Sequence, residues 1–217
     1  MSTQLPKITW KDITEIEVEL SSRCNASCPG CKRTMMLDKG EFFPQTDISL
    51  IEFQNIFDEY DLSKIKFKFC GVLGDPLMNS DLMEICRYSL DKGKGVAAIS
   101  ISTNAGIRNV TWWKRFAKLS KSSSKRLVVD FAIDGLEDTN HIYRVGVKWK
   151  KVKENLEAYL SEGGHARWNY IVFDHNKKDL PMAEKLAKQY NIELYTRKSW
   201  RNSSNMYVSN ENARKNI

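Results

Sequence analysis

The 217-residue chain is narrowed first by what it lacks. No apolar run approaches the roughly 18 residues that a membrane helix needs, so no membrane partner is expected. The first dozen residues show no charged head followed by an apolar stretch, so no secretory signal is expected and a cytoplasmic protein is the default. Histidine is scarce, with only His141, His165 and His175, far apart along the chain. Cysteine is scarce and odd in number, at five, which argues against a disulfide framework. No unit repeats at a fixed period, and there is no helix-turn-helix, RNA-recognition or finger pattern. Nucleic acid is therefore not an expected partner, although 34 Lys+Arg against 27 Asp+Glu leave a net charge of +7. Residues 177–217 hold nine of the basic and four of the acidic residues, a bias that reads as a solvated basic surface.

What is present is enough for one packed domain. Hydrophobic residues make up 41% of the chain and aromatics 11%, and a chain of this length buries roughly 70% of its extended surface. Alternating apolar positions predict strands over residues 14–20, 64–71, 96–102, 126–133, 166–173 and 192–195. Helical spacing fills the gaps, over 49–60, 80–91, 111–119, 147–160 and 179–190. Ser49 and Glu52 form a capping box, and Asp179 opens the last helix with Pro181 in its first turn. Six β/α alternations give an α/β fold with parallel strands and right-handed crossovers, either an incomplete barrel or a doubly wound sheet. In both, chemistry belongs at the C-terminal strand ends. The core domain is expected over residues 1–197, with a polar C-terminal tail over 198–217.

The three cysteines Cys24, Cys28 and Cys31 follow the first strand directly, spaced C-x3-C-x2-C. Pro29 and Gly30 suit a tight turn that aims three thiolates at one region. Soft thiolates select zinc or iron–sulfur clusters. Structural zinc takes four ligands. A cubane cluster on three thiolates leaves one iron open to a small molecule. Cys70 and Cys86 sit at apolar positions and read as small buried hydrophobes. With no obvious fourth ligand, the open-site cluster is favoured and zinc remains the alternative.

Other strand ends carry polar groups. After the second strand comes the turn Gly74-Asp75-Pro76, whose carbonyls and carboxylate suit an ammonium group. After the third come Ser102, Thr103 and Asn104, suited to hydroxyls. After the fourth comes Asp134-Gly135, then Tyr143-Arg144, where Arg144 can clamp a carboxylate. After the fifth comes Asp174-His175-Asn176. One mouth thus gathers thiolates, acceptors for an ammonium, groups that bind hydroxyls and a cationic clamp for a carboxylate, which suits a zwitterionic, ribose-bearing ligand.

In order and strand placement these stretches resemble the radical S-adenosylmethionine (radical SAM) superfamily over residues 14–196. Cys24-x3-Cys28-x2-Cys31 matches its signature. Gly74-Asp75-Pro76 is similar to its Gly-Gly-Glu-Pro turn, and Ser102-Thr103-Asn104 to its ribose motif. The chain departs from the pattern at Gly30, where an aromatic is common, at Leu73 and Asp75, and at Ala105, which precedes the expected glycine. The resemblance implies a partial (β/α)6 barrel. It implies a 4Fe-4S cluster on Cys24, Cys28 and Cys31, and S-adenosylmethionine held by Gly74, Asp75, Pro76, Ser102, Thr103, Asn104, Asp134 and Arg144. It also implies an electron donor of flavodoxin or ferredoxin type. Reductive cleavage then yields a 5′-deoxyadenosyl radical that takes hydrogen from a substrate, with a peptide or protein expected. No cysteine follows Cys86, so no cysteine-rich SPASM or twitch extension is expected. The alternative is a non-catalytic cluster- or zinc-binding protein acting through a partner. Arg23, Lys32 and Arg33 flank the cysteine loop as cations without an assigned role.

Overall fold

The computed structural model describes residues 9–91 and 95–199, so nearly all of the expected tail lies outside the described residues. Six strands form one sheet: β1 (Glu15–Val18), β2 (Lys66–Phe69), β3 (Ala98–Thr103), β4 (Leu127–Ala132), β5 (Ala166–Val172) and β6 (Glu193–Lys198). All pairs are parallel, and spatial order equals chain order. Right-handed crossovers between strands in unbroken order carry every helix to the same face. A doubly wound sheet would reverse its order at one strand. The sheet is therefore a partial barrel, and among the described residues β1 and β6 do not pair.

The helices are α1 (Lys32–Asp38), α2 (Leu50–Phe57), α3 (Leu82–Asp91), α4 (Val110–Ser122), α5 (Asn140–Tyr143), α6 (Trp149–Ser161) and α7 (Leu180–Gln189). Strand alternation sends Phe67, Phe69, Ile99, Ile101, Val129, Phe131, Trp168 and Tyr170 into the core. The α2 ring of Phe53 meets Phe67 and Phe69 at 5.5 and 6.0 Å. Trp113 of α4 and Tyr159 of α6 meet Phe131 at 5.3 and 5.7 Å.

The opposite face of the sheet is polar. Glu17 lies beside Lys68, Lys68 beside Ser100, Ser102 beside Asp130, and Asp130 beside Arg167. Arg167 donates twice to the Asp130 carboxylate, at 2.6 and 2.7 Å. A closed barrel packs this face with branched apolar side chains; here charged and hydroxylic groups line it.

The sequence reading differs from the structure at the last strand and at a helix it did not anticipate. The sixth strand runs three residues further, to Lys198, because Thr196, Arg197 and Lys198 pair through backbone and carry no apolar signal. Helix α1 follows the cysteine loop unannounced, since its buried residues, Arg33 and Thr34, are polar. Asp179 opens α7 with Pro181 in the first turn as expected, preceded by a 3-10 turn (Lys177–Asp179), and its carboxylate accepts a hydrogen bond from the Thr139 hydroxyl. The Ser49–Glu52 capping box forms as expected, with Ser49 N donating to Glu52 Oε2 at 2.8 Å.

Candidate active site

The loop after β1 is tied to three other strand ends. The Asp75 amide donates to Arg23 O at 2.8 Å, Ser27 N to Val145 O at 2.9 Å, and Asn104 Nδ2 to Asn25 Oδ1 at 2.7 Å. Within it, Cys31 N donates to Cys28 O at 3.1 Å while Gly30 takes φ +74°, a turn with Pro first and Gly second. This turn brings Cys28 and Cys31 to one wall of a cavity of about 450 Å³, and Cys24 lines the same cavity. The cavity opens at the C-terminal ends of β1 to β4.

A second wall is the turn after β2. Leu73 N and Gly74 N both donate to Glu19 Oε1, at 2.6 and 2.7 Å, so a carboxylate one residue past β1 holds this turn in shape. Gly74 is obligatory, because a Cβ there would lie 1.8 Å from Ser21 O. The Asp75 carboxylate faces inward. It accepts from Leu77 N at 3.0 Å, Thr103 Oγ1 at 3.0 Å and Asn104 N at 2.9 Å. Burial pushes its pKa up, and the bonds from Asn104, Leu77 and Thr103 oppose that. Asp75 thus joins the β2 turn to the β3 turn, with its carboxylate oxygens engaged, and residues 71–74 line the cavity beside it.

The third wall is Ser102, Thr103 and Asn104. Asn104 Nδ2 lies 3.7 Å from Cys24 Sγ, and its Oδ1 accepts from Gly106 N at 2.8 Å. Arg144 supplies the fourth wall. Its Nη2 pairs with Asp134 Oδ2 at 2.7 Å and its Nη1 lies 3.7 Å from Cys28 Sγ. Asp134 is fully buried and also accepts from Ile171 N at 2.7 Å, so it orients Arg144 from behind. Of the residues singled out from sequence, Cys24, Cys28, Cys31, Gly74, Asp75, Ser102, Thr103, Asn104 and Arg144 line the cavity; Pro76 and Asp134 stand behind it. His175 does not line it and stacks on Phe173 at 5.2 Å. Asn176 is structural, donating to Asp134 O and Ile171 O.

Sequence reasoning missed Glu19, Asn25 and Cys70. Cys86 is a buried small hydrophobe as expected, but Cys70 is not. Its thiol lines the cavity and donates to Glu17 Oε1, and burial followed by that carboxylate pushes its pKa up to about 12. The signal was the alternation Glu15, Glu17, Glu19 opposite Lys66, Lys68, Cys70, which puts these residues on the polar face.

The residues present fit an anionic iron–sulfur group. Three thiols share the cavity, and Arg144 and Asn104 direct N–H groups at two of the sulfurs. Ser27 Oγ and Arg33 Nε are buried without a hydrogen-bond partner. Burial raises the Cys24 thiol to about 12; Asp75 adds to this, while the Ala26 amide and Arg33 oppose it. Burial likewise raises Cys28, against Arg144. Among the described residues no group of three or more His, Cys, Asp or Glu side chains is placed to hold a single metal ion.

A family model, described as the radical SAM superfamily, matches residues 18–187. The chain belongs to this superfamily. A search of curated protein sequences finds no match. Among solved structures, native anSMEcpe with bound AdoMet and Cp18Cys peptide aligns with TM-score 0.61 and 19% identity, over 86% of this chain and 50% of that one. Streptococcus suis SuiB bound to S-adenosylmethionine aligns with TM-score 0.66 and 12% identity, over 92% and 44%. SuiB bound to precursor peptide SuiA gives 0.65 and 13%, over 91% and 42%. At these identities the likeness is one of fold, and the radical SAM chain described here spans about half the length of those proteins. The superfamily uses a 4Fe-4S cluster and S-adenosylmethionine. No helix among the described residues is long and apolar enough to cross a membrane.

Proposed function

We propose that the protein is a radical SAM enzyme. In this reading a 4Fe-4S cluster, when bound, supplies the electron that cleaves S-adenosylmethionine to methionine and a 5′-deoxyadenosyl radical for hydrogen abstraction. The observation that carries it is the convergence of Cys24, Cys28, Cys31, the 71–74 turn, Ser102–Asn104 and Arg144 on one cavity of about 450 Å³.

Cys24, Cys28 and Cys31 would hold the cluster. The backbone of residues 71–74, shaped by Glu19 and by the inward turn of Asp75 and Pro76, would accept the ammonium of S-adenosylmethionine. Ser102 and Asn104 would meet the ribose, with Thr103 fixing the turn through Asp75. Arg144, oriented by Asp134, would meet the carboxylate as a charge-assisted donor. The cofactor carries the bond cleavage, and the protein positions it and excludes water. A low-potential donor of flavodoxin or ferredoxin type would supply the electron, in a reducing, cytoplasmic setting. The polar face with Lys68, Ser100, Asp130, Arg167 and Asn169 favours a substrate rich in hydrogen-bonding groups. A peptide fits that chemistry, and the anSMEcpe and SuiB structures with bound peptides have the same fold. The radical SAM core would span residues 1–197, with residues 198–217 as a polar tail.

The test is anaerobic reconstitution with iron and sulfide, then S-adenosylmethionine and dithionite, with 5′-deoxyadenosine quantified by mass spectrometry. Product from the wild type and none from Cys28→Ala is the expected result. An intact cluster without product, with or without added peptide, overturns the enzyme reading in favour of a partner-binding protein.

A further inference from the structure

Arg33 is the most enclosed charged side chain of the cysteine region. It lies in the first turn of α1, two residues past Cys31, and is only 2% exposed. Its Nη1 reaches Ala26 O at 3.4 Å, inside the loop between Cys24 and Cys28. Its Nε is buried and has no partner. No carboxylate pairs with it among the described residues. Asp38, at the far end of the same helix, does not serve, since both its carboxylate oxygens are themselves buried without a hydrogen-bond partner. The contrast with other arginines is sharp: Arg144 carries Asp134, Arg167 carries Asp130 and Arg23 carries Asp47.

A guanidinium cannot shed its proton to escape burial. A buried charge without a counter-charge is strongly unfavourable, so natural proteins pair such groups or place them against a metal centre. Among the described residues its one side-chain hydrogen bond goes to Ala26 O, in the loop whose cysteines Cys24 and Cys28 can carry negative charge as thiolates. The guanidinium thus touches the cysteine loop through Nη1 and keeps an unfilled donor at Nε.

We propose that Arg33 is the internal counter-cation of the cysteine loop, retaining the thiolate-bound cluster and raising its reduction potential. This rests on the cluster reading above. The charge effect follows from electrostatics: reduction adds an electron, and a fixed cation beside the site stabilises the more negative state. Net charge and hydrogen bonding to the sulfurs are among the determinants of cluster potentials. Arg33 is a positioning and tuning residue, and touches no substrate in this account.

The test compares wild type, Arg33→Lys, Arg33→Gln and Arg33→Met. Three quantities are read: thermal midpoint of each apoprotein, iron and sulfide per chain after reconstitution, and cluster midpoint potential by EPR-monitored titration. The Met variant should keep or raise the apoprotein midpoint, because an unpaired buried charge has been removed. Its cluster should be harder to reduce by about tenfold in the equilibrium, about 59 mV for one electron, or be retained at less than half the wild-type iron. Lys should restore most of both, and Gln should follow Met. A Met or Gln variant with unchanged potential and iron, and a lowered apoprotein midpoint, assigns Arg33 to packing alone and overturns the proposal. A wild type that takes up no cluster overturns the cluster reading itself, and is distinguished by failing before any variant is compared.

Discussion

Gly74 and Glu19 work together on the turn that follows β2. A methyl at Gly74 would meet Ser21 O at 1.8 Å, a backbone atom that cannot swing aside. Gly74→Ala is expected to destabilise the apoprotein by more than about 3 kcal/mol, read from the urea midpoint. Glu19 accepts two amides from the same turn. Glu19→Ala leaves both donors without that acceptor, so the turn loosens while the cysteines stay in place. The dissociation constant for S-adenosylmethionine, measured by calorimetry on reconstituted protein, should rise roughly tenfold, about 1.4 kcal/mol. Iron content should not change, and Glu19→Gln, which keeps a carbonyl oxygen, should recover most of the affinity. Unchanged affinity in the Ala variant would remove Glu19 from this role. At this scale the sequence revealed positions better than roles. Asp75 reads as an acceptor facing a ligand, yet its carboxylate is consumed by Thr103 and Asn104. Ala105 stands where glycine is expected and takes φ +60°, so the backbone there keeps the left-handed geometry that the motif demands. Nothing in a single sequence tells which way a short carboxylate turns; that depends on donors that approach from another strand.

Elements were more legible, because their signals are local. Phe67 and Phe69 alternate on β2 and face Phe53, and the capping box at Ser49 lies four residues before that ring. Ser49 accepts from Glu52 N at 3.2 Å, and Glu52 answers to Ser49 N. Ser49→Ala is expected to lower stability by about 1 kcal/mol, within the range for lost N-caps. Glu52→Ala should cost less, since the Ser49 hydroxyl remains. Equal urea midpoints for wild type and Ser49→Ala would show that α2 is held by Phe53 and Phe57 alone. Where an element was misread, the deciding partner was distant in sequence. The end of β6 is drawn out by pairing with β5, through residues whose polarity hides the strand. Helix α1 buries Arg33 and Thr34 rather than an apolar stripe, so no periodicity betrays it.

For the whole molecule, the alternation of strands and helices announced the parallel sheet, but only the strand order separates a singly wound barrel from a doubly wound sheet. The same architecture stores acidic protons in its core, with a consequence for alkaline stability. Cys86 on α3 and Tyr159 on α6 are both fully buried. Burial raises the Cys86 pKa well above that of a free thiol. Burial also raises Tyr159, against a bond from Ser120, and the Cys86 charge adds to the rise. A raised acid pKa means that the folded state keeps a proton which the unfolded chain releases, so stability falls as pH climbs above the unfolded values of about 8.5 and 10. Below about pH 8 both states hold both protons and neither group contributes a slope. Above pH 9 the thiol contributes about 1.4 kcal/mol per pH unit, and above pH 10 the phenol adds a similar slope, until each folded-state value is passed. The urea midpoint of the apoprotein should therefore be flat from pH 7 to 8 and fall with growing steepness to pH 11. Cys86→Ala should start lower, from the space it leaves in the core, yet lose less between pH 9 and 10. Tyr159→Phe should diverge from wild type only above pH 10. Parallel curves for all three proteins would mean that the alkaline lability comes from other groups, the raised thiols of Cys24, Cys28 and Cys70 among them, and that these two buried protons do not govern it.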